Sequence, residues 1–193
     1  MLVRSIAGFQ YSRFRIGFKQ EPIGRGHWIM AAEHSCSACG REVSDHDRHI
    51  RFALPDPVLH TAEQHHAPGS WLSHDTPNTS VMMQIQGIGA FVRALLPVSL
   101  SGGHRLTFGV WVAINPAEFL ETFSTWWTPE YADLHLQGYL ANAVGPWGLL
   151  GAPVVLEVKD IDHTPYCVDS EQLDLAEVLH KEWPHEILDG LPA

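Results

Sequence analysis

The sequence predicts an α+β domain: an antiparallel sheet of four or more strands with three helices packed on it. Residues 106–114 alternate as a strand and lead straight into a helix start signal. Period-two runs stand before and after that strand, and three downstream stretches space their apolar residues at the helical period. At 193 residues, with 45% hydrophobic and 18% charged residues, the chain can bury a core that folds without staples.

Residues 1–30 read as an irregular basic extension. They hold five of the twelve basic residues (Arg4, Arg13, Arg15, Lys19, Arg25) and one acid, Glu21, and four glycines break any period. A basic arm or an Arg-rich targeting peptide would have this composition, as would an irregular tail. The composition changes at Met30, where the natural product could begin, so residues 31–193 are read as one domain. That part carries seven basic against twenty-one acidic residues. Its field repels nucleic acid and anionic membrane and favours a basic protein partner, although charge kept for solubility gives the same count. No apolar run has the length of a membrane span. Three cysteines without a secretory leader point to a reducing compartment, so the expected location is cytoplasmic.

Cys36-Ser-Ala-Cys39-Gly40 opens the domain with a turn that can hold one zinc ion between two thiolates. Four ligands are needed for a structural site. His46 and His49 are the nearest completions, so the candidate metal set is Cys36, Cys39, His46 and His49; a metal-free turn and a redox dithiol remain open alternatives. Residues 41–78 are rich in Asp, Pro and His and read as a solvated loop closed by turns at Pro68-Gly69 and Pro77-Asn78.

Regular structure starts at Ser80. Val81, Met83 and Ile85 alternate with Met82, Gln84 and Gln86, and Gly87-Ile-Gly89 breaks the run. Ala90 to Leu96 then continues past Pro97 to Leu100, and Ser101-Gly-Gly-His104 turns the chain, giving a three-stranded meander. In its last strand Leu106, Phe108, Val110, Val112 and Ile114 share one face, and Trp111 shares the other with the small Gly109 and Ala113. Both faces are apolar, which places this strand at the centre of the sheet. Asn115-Pro-Ala-Glu118 supplies an N-cap, a first-turn proline and a capping-box acid for a helix over 116–127, whose stripe is Phe119, Phe123 and Trp127. Trp126 and Trp127 read as packing; stacking on a sugar or base is the alternative. A second helix is expected over 130–141, carrying Tyr131, Leu134 and Leu140, and a fourth strand follows Pro153 with Val154, Leu156 and Val158. Asp160 to Cys167 reads as a loop. The third helix, 170–183, has Leu175, Leu179 and Trp183 on one stripe and an i, i+4 pair of Glu177 with Lys181.

Three function classes fit these residues. The first is a non-catalytic binding module for a basic partner, which could be a toxin neutralised as an immunity protein would do it. The second is a zinc protein built on the Cys36 and Cys39 turn. The third is a hydrolase or thiol enzyme using Cys167 with His163 and Asp162, since a thiolate needs a neighbouring base to be populated at neutral pH. No phosphate-cradling glycine loop, Gly-x-Ser-x-Gly elbow or His-Glu-x-x-His helix is present.

Cys36-x-x-Cys39-Gly40, the block Phe108-Gly-Val-Trp-Val-Ala-Ile-Asn-Pro-Ala-Glu-Phe119, Gln137-Gly-Tyr-Leu-Ala-Asn142 and Leu156-Glu-Val-Lys-Asp-Ile-Asp-His163 together resemble an uncharacterised bacterial family, domain of unknown function 2199. The resemblance covers about residues 34–183, and the Gly-Val-Trp-Val block is its most specific part. Val43 stands where members often have a histidine, and Met82 where many have a cysteine. The resemblance implies a bacterial cytosolic protein and brings no activity with it.

Overall fold

Among residues 48–61 and 64–191, which the computed structural model describes, the strands in chain order are β1 (Arg48–Arg51), β2 (Trp71–Leu72), β3 (Met82–Ile85), β4 (Gly89–Leu100), β5 (His104–Ile114), β6 (His135–Leu140), β7 (Pro153–Glu157), β8 (Tyr166–Asp169) and β9 (Glu182–Trp183). The helices are short: α1 (Asp56–Leu59), α2 (Phe119–Thr125) and α3 (Leu173–His180).

The long hairpin of β4 and β5 sets the architecture. Its strands pair antiparallel from Ala90 opposite Ile114 to Leu100 opposite His104. Gly102 and Gly103, with φ of 80° and 81°, turn the chain between them in a left-handed conformation that a side chain resists. Ala90, Val92, Ala94, Leu96 and Val98 of β4 bury on the same side as Leu106, Phe108, Val110, Val112 and Ile114 of β5. Alternation therefore builds one apolar sheet face twice as long as an ordinary strand pair provides.

Each long strand changes partner part-way along its outer edge, and this closes the sheet. β4 pairs first with β3, then with β8 through Leu95 opposite Tyr166, and finally with β9. β5 pairs with β1 over residues 106–109 and with β6 over residues 112–114. β6 pairs with β7 and β7 with β8, so β5, β6, β7, β8 and β4 form a closed five-stranded barrel, with only the β8 to β4 contact parallel. The changeover also explains a proline inside a strand. The N–H of Arg93 donates to Val81 O and that of Leu95 to Pro165 O, both away from β5, so two residues on the missing donor of Pro97 falls between the β8 and β9 contacts.

The expected antiparallel sheet with three packed helices is thus corrected to a mostly β structure around a closed barrel. The meander and the strand after Pro153 are present as read. The helix expected over 130–141 is instead a 3-10 turn, Pro129–Asp133, followed by β6, in which Leu136 and Leu140 are buried while His135, Gln137 and Tyr139 are exposed. That is period two, and it outweighs the spacing of Tyr131, Leu134 and Leu140. The other two helices are shortened. Residues 116–118 form a turn before α2, and α3 stops at His180 because Glu182 and Trp183 join β4. The expected pair of Glu177 Oε1 with Lys181 Nζ is made at 2.6 Å and is exposed, which limits its contribution to about 0.3–0.5 kcal/mol. The boundary placed at residue 30 lies outside the described residues.

Trp111 is fully buried on the outside of the barrel, in a second apolar cluster with Val58, Met83, Ile85, Phe91 and Ala141. Directly opposite it in the ladder stands Arg93, 2% exposed, with its guanidinium carbon 4.1 Å from the indole ring centre. This cation is held by carbonyl oxygens: Nε donates to Ser80 O at 3.1 Å, Nη1 to Phe52 O at 2.9 Å and Gly109 O at 3.5 Å, and Nη2 to Pro77 O at 3.1 Å. Burial and the nearby charge of Arg51 pull its pKa down to about 9, so it stays charged at neutral pH.

Asn142, also fully buried, completes the ladder where β5 passes from β1 to β6. Its Oδ1 accepts the Trp111 N–H at 2.8 Å, and its Nδ2 donates to Leu54 O and to Asp56 Oδ1, both at 2.9 Å. The other carboxylate oxygen of Asp56 accepts the Ala143 N–H, and the Asp56 N–H donates to Ala141 O. With Trp111 Nε1 on Ala53 O, these bonds fasten residues 52–56 across the barrel wall. Replacing Arg93 with Met would keep much of the volume and strand the carbonyls of Phe52, Pro77 and Ser80. We expect Arg93→Met to lower the unfolding free energy in urea by about 3–5 kcal/mol; a loss below about 1 kcal/mol would contradict this arrangement.

Candidate functional site

A groove of about 950 Å³ is bounded by α2, the Pro129–Asp133 turn and the outer surface of β6 and β7. Local chemistry positions each wall. Asn115 Oδ1 accepts the Ala117 N–H at 3.0 Å, so the predicted capping residue acts one turn ahead of the helix proper. α2 then buries Phe119, Thr122 and Trp126, with Phe123 half-buried beside them. Trp71 meets Phe119 and Phe123 edge-on at 5.7 and 5.2 Å, and Trp126 packs 5.1 Å from Tyr131. Trp127, expected on this stripe, is exposed beside His74. Burying that face turns Glu118, Glu121 and Thr125 toward the groove.

Tyr131 Oη donates to His163 O at 2.7 Å and anchors the turn that carries Glu130 and Asp133. The groove floor rests on a close backbone approach: a Cβ at Gly138 would collide with Ala113 O and Val112 Cγ1, so β6 can lie this near β5 only with glycine there. Gln137 and Tyr139 project beside it, Tyr139 60% exposed.

The electrostatics are one-sided. Glu118, Glu121, Glu130, Asp133 and Glu171 line the groove, and among the described residues no lysine or arginine does. Hydrogen bonds from the Thr128 side chain and from its own backbone N–H hold the Glu130 carboxyl below its ordinary range. His135, the one imidazole in the lining, lies 3.6 Å from Glu157 across the β6 and β7 pair. Sequence reading missed this groove, although a signal was available: between Arg105 and Lys159 the chain contains no lysine or arginine at all.

The residues singled out from sequence fall elsewhere. Cys36, Cys39 and His46 lie outside the described residues. His49 is on β1, exposed, with its pKa lowered by partial burial and by the charges of Arg51 and Arg93, a field that opposes a dication. Among the described residues no three His, Cys, Asp or Glu side chains gather as a metal group. Cys167, expected in a loop, is in β8 and 1% exposed within the barrel core, where burial pushes its thiol up to about 12. His163 instead pairs through Nδ1 with Asp160 Oδ2 at 2.9 Å, and Asp162 gives only its N–H to Asp160 Oδ1. The thiol, base and acid are therefore not brought together.

Residues 35–177 match the family described as an uncharacterized protein conserved in bacteria, domain of unknown function 2199. The chain belongs to this family. The match spans β1 to β8 and α3 as far as Glu177, so the barrel, the Arg93 and Trp111 contact and the acidic groove all lie within the family region. No curated protein and no solved structure matches the chain. No helix among the described residues is long and apolar enough to cross a membrane.

The state of Cys167 has a measurable consequence. Its folded pKa is raised, so the native thiol keeps its proton while the unfolded thiol ionises, and stability falls as pH rises from about 9 toward about 12. Tyr131, also pushed up by burial, adds to the same trend at higher pH. Unfolding free energy measured from about pH 8 to about pH 10 should decline less steeply in Cys167→Val than in the parent; equal slopes would place the thiol in contact with water.

Proposed function

We propose that this chain is a non-catalytic binding module whose acidic groove seats a basic segment of a protein partner. The observation that carries the reading is the groove itself: five carboxylates, no lysine or arginine among the described lining residues, and partly exposed apolar surface from Ala113, Pro153 and Val155 beside the exposed ring of Tyr139. Each element suits an arginine- or lysine-bearing strand. Carboxylates at the rim raise the encounter rate through long-range attraction, and each adds about 1 kcal/mol at contact in water. The Tyr139 face can receive a guanidinium or ammonium. The apolar surface accepts the methylene stems of the same side chains.

Two hydroxyls of the groove are taken up by the structure: Ser170 Oγ donates to Pro153 O at 2.6 Å, and Thr122 is buried beneath α2. A toxin held by its cationic surface is one partner of this class, and neutralising it would be an immunity role.

An arginine-rich extended peptide titrated by calorimetry tests the reading. The affinity should fall about tenfold or more in the double variant Glu121→Lys, Asp133→Lys, equivalent to at least about 1.4 kcal/mol. It should also weaken steeply as salt shortens the screening length from about 10 Å toward about 3 Å. Unchanged affinity in the double variant would remove the groove as the binding site.

A further inference from the structure

The basic residues are as unevenly placed as the acids. Of the six in the described part of the chain, four stand on adjacent strands: Arg48 and Arg51 on β1, Arg93 on β4 and Arg105 on β5. On β1, Ile50 packs toward the barrel core, so alternation sends His49 and Arg51 to the outer face. Arg51 lies opposite Gly109 in the parallel ladder with β5. A side chain at 109 would meet Arg51 Cγ and His49 Nε2, each 3.3 Å from its first carbon. Its absence lets both side chains converge over bare backbone. Just beneath, the Arg93 guanidinium donates to the carbonyl of the same Gly109.

Three nitrogen-bearing cationic or protonatable groups thus meet around one glycine. The Arg93 guanidinium is committed to carbonyls, whereas the side chains of Arg51 and His49 make no hydrogen bond or ion pair with any described residue. Burial first, then the charges of Arg51 and Arg93, disfavour the charged form of His49, and burial followed by the charge of Arg51 does the same to Arg93. None of the ion pairs among the described residues involves Arg51 or His49. Like charges gathered without a counter-charge are stabilised by an anion from outside. The planar fork of Arg51, on the same strand face as the His49 imidazole whose Nε2 reaches over Gly109, suits the paired oxygens of a phosphate or carboxylate.

We propose that Arg51 and His49, converging over Gly109 on the outer face of β1, form a binding site for a small oxyanion, the phosphate or carboxylate group of a ligand. This site is separate from the acidic groove and takes the opposite charge.

Backbone amide shifts of His49, Arg51 and Gly109 can be followed by NMR while sodium phosphate, sodium acetate or sodium chloride is added at matched ionic strength. Saturable shifts with phosphate that chloride does not produce support a phosphate group as the ligand; saturation with acetate at equal or lower concentration assigns a carboxylate. Arg51→Gln should weaken that binding about tenfold or more, and Arg51→Lys, which keeps the charge and loses the fork, should fall between it and the parent. Because Arg51 is exposed, unchanged amide shifts elsewhere would verify that both variants fold. Shifts that follow ionic strength equally in all three salts, or parent-like binding by Arg51→Gln, would overturn the proposal.

Discussion

A guanidinium sealed against the outside of a barrel wall sets the terms for most of this structure. Arg93 has no carboxylate to answer it among the described residues, and a cation removed from water costs several kcal/mol unless its donors are satisfied. The protein satisfies them with main chain. Phe52 comes from the segment after β1, Pro77 and Ser80 from the approach to β3, and Gly109 from β5, so one side chain ties three separated parts of the chain together. The Trp111 ring supplies the remaining surface and accepts the cation on its face. Displacing any of those segments would expose or strand the charge, which gives the arrangement its cooperativity.

The same outer face of β5 runs past both proposed sites. Gly109, Trp111 and Ala113 follow one another on it. Gly109 underlies the basic shelf, Trp111 is covered by Arg93 and the 52–56 segment, and Ala113 lines the acidic groove. Gly109 and Ala113 are about 13 Å apart at the rise of a strand. Two regions of opposite charge therefore lie on one rigid element, separated by a buried aromatic. A partner with a basic segment in the groove would present a nearby acidic or phosphorylated group to the shelf without bending the barrel.

The hairpin was legible because two-sided burial writes a pattern that nothing else imitates: alternating aliphatics on one face of residues 106–114, and one large aromatic between small neighbours on the other. Barrel closure was not legible. It depends on β4 and β5 each exchanging partners mid-strand, and the residues at that exchange, Pro97 and Asn142, carry no mark of a second partner in the sequence. β6 was lost because Leu136 and Leu140 lie four apart, a spacing that helix and strand share, with Gly138 the only hint of a close backbone approach. The site suffered from a different bias. Cys36, Cys39, His46, His49, Cys167 and His163 stand out in a sequence because those residue types carry chemistry by themselves, whereas a groove of ordinary carboxylates exists only once α2 and β6 are placed side by side. The buried charge of Arg93 left no trace in composition, since an arginine in an apolar run looks like any strand exposed on one side.

The most direct test of the Arg93 contact is its side-chain N–H resonance in ¹⁵N NMR. A guanidinium bonded to carbonyls and lying on an indole should give an Nε–H signal displaced by the Trp111 ring current and protected from exchange with water, and Trp111→Leu should abolish the displacement. An Arg93 signal at the position of a free arginine, exchanging as fast as an exposed one, would contradict the account.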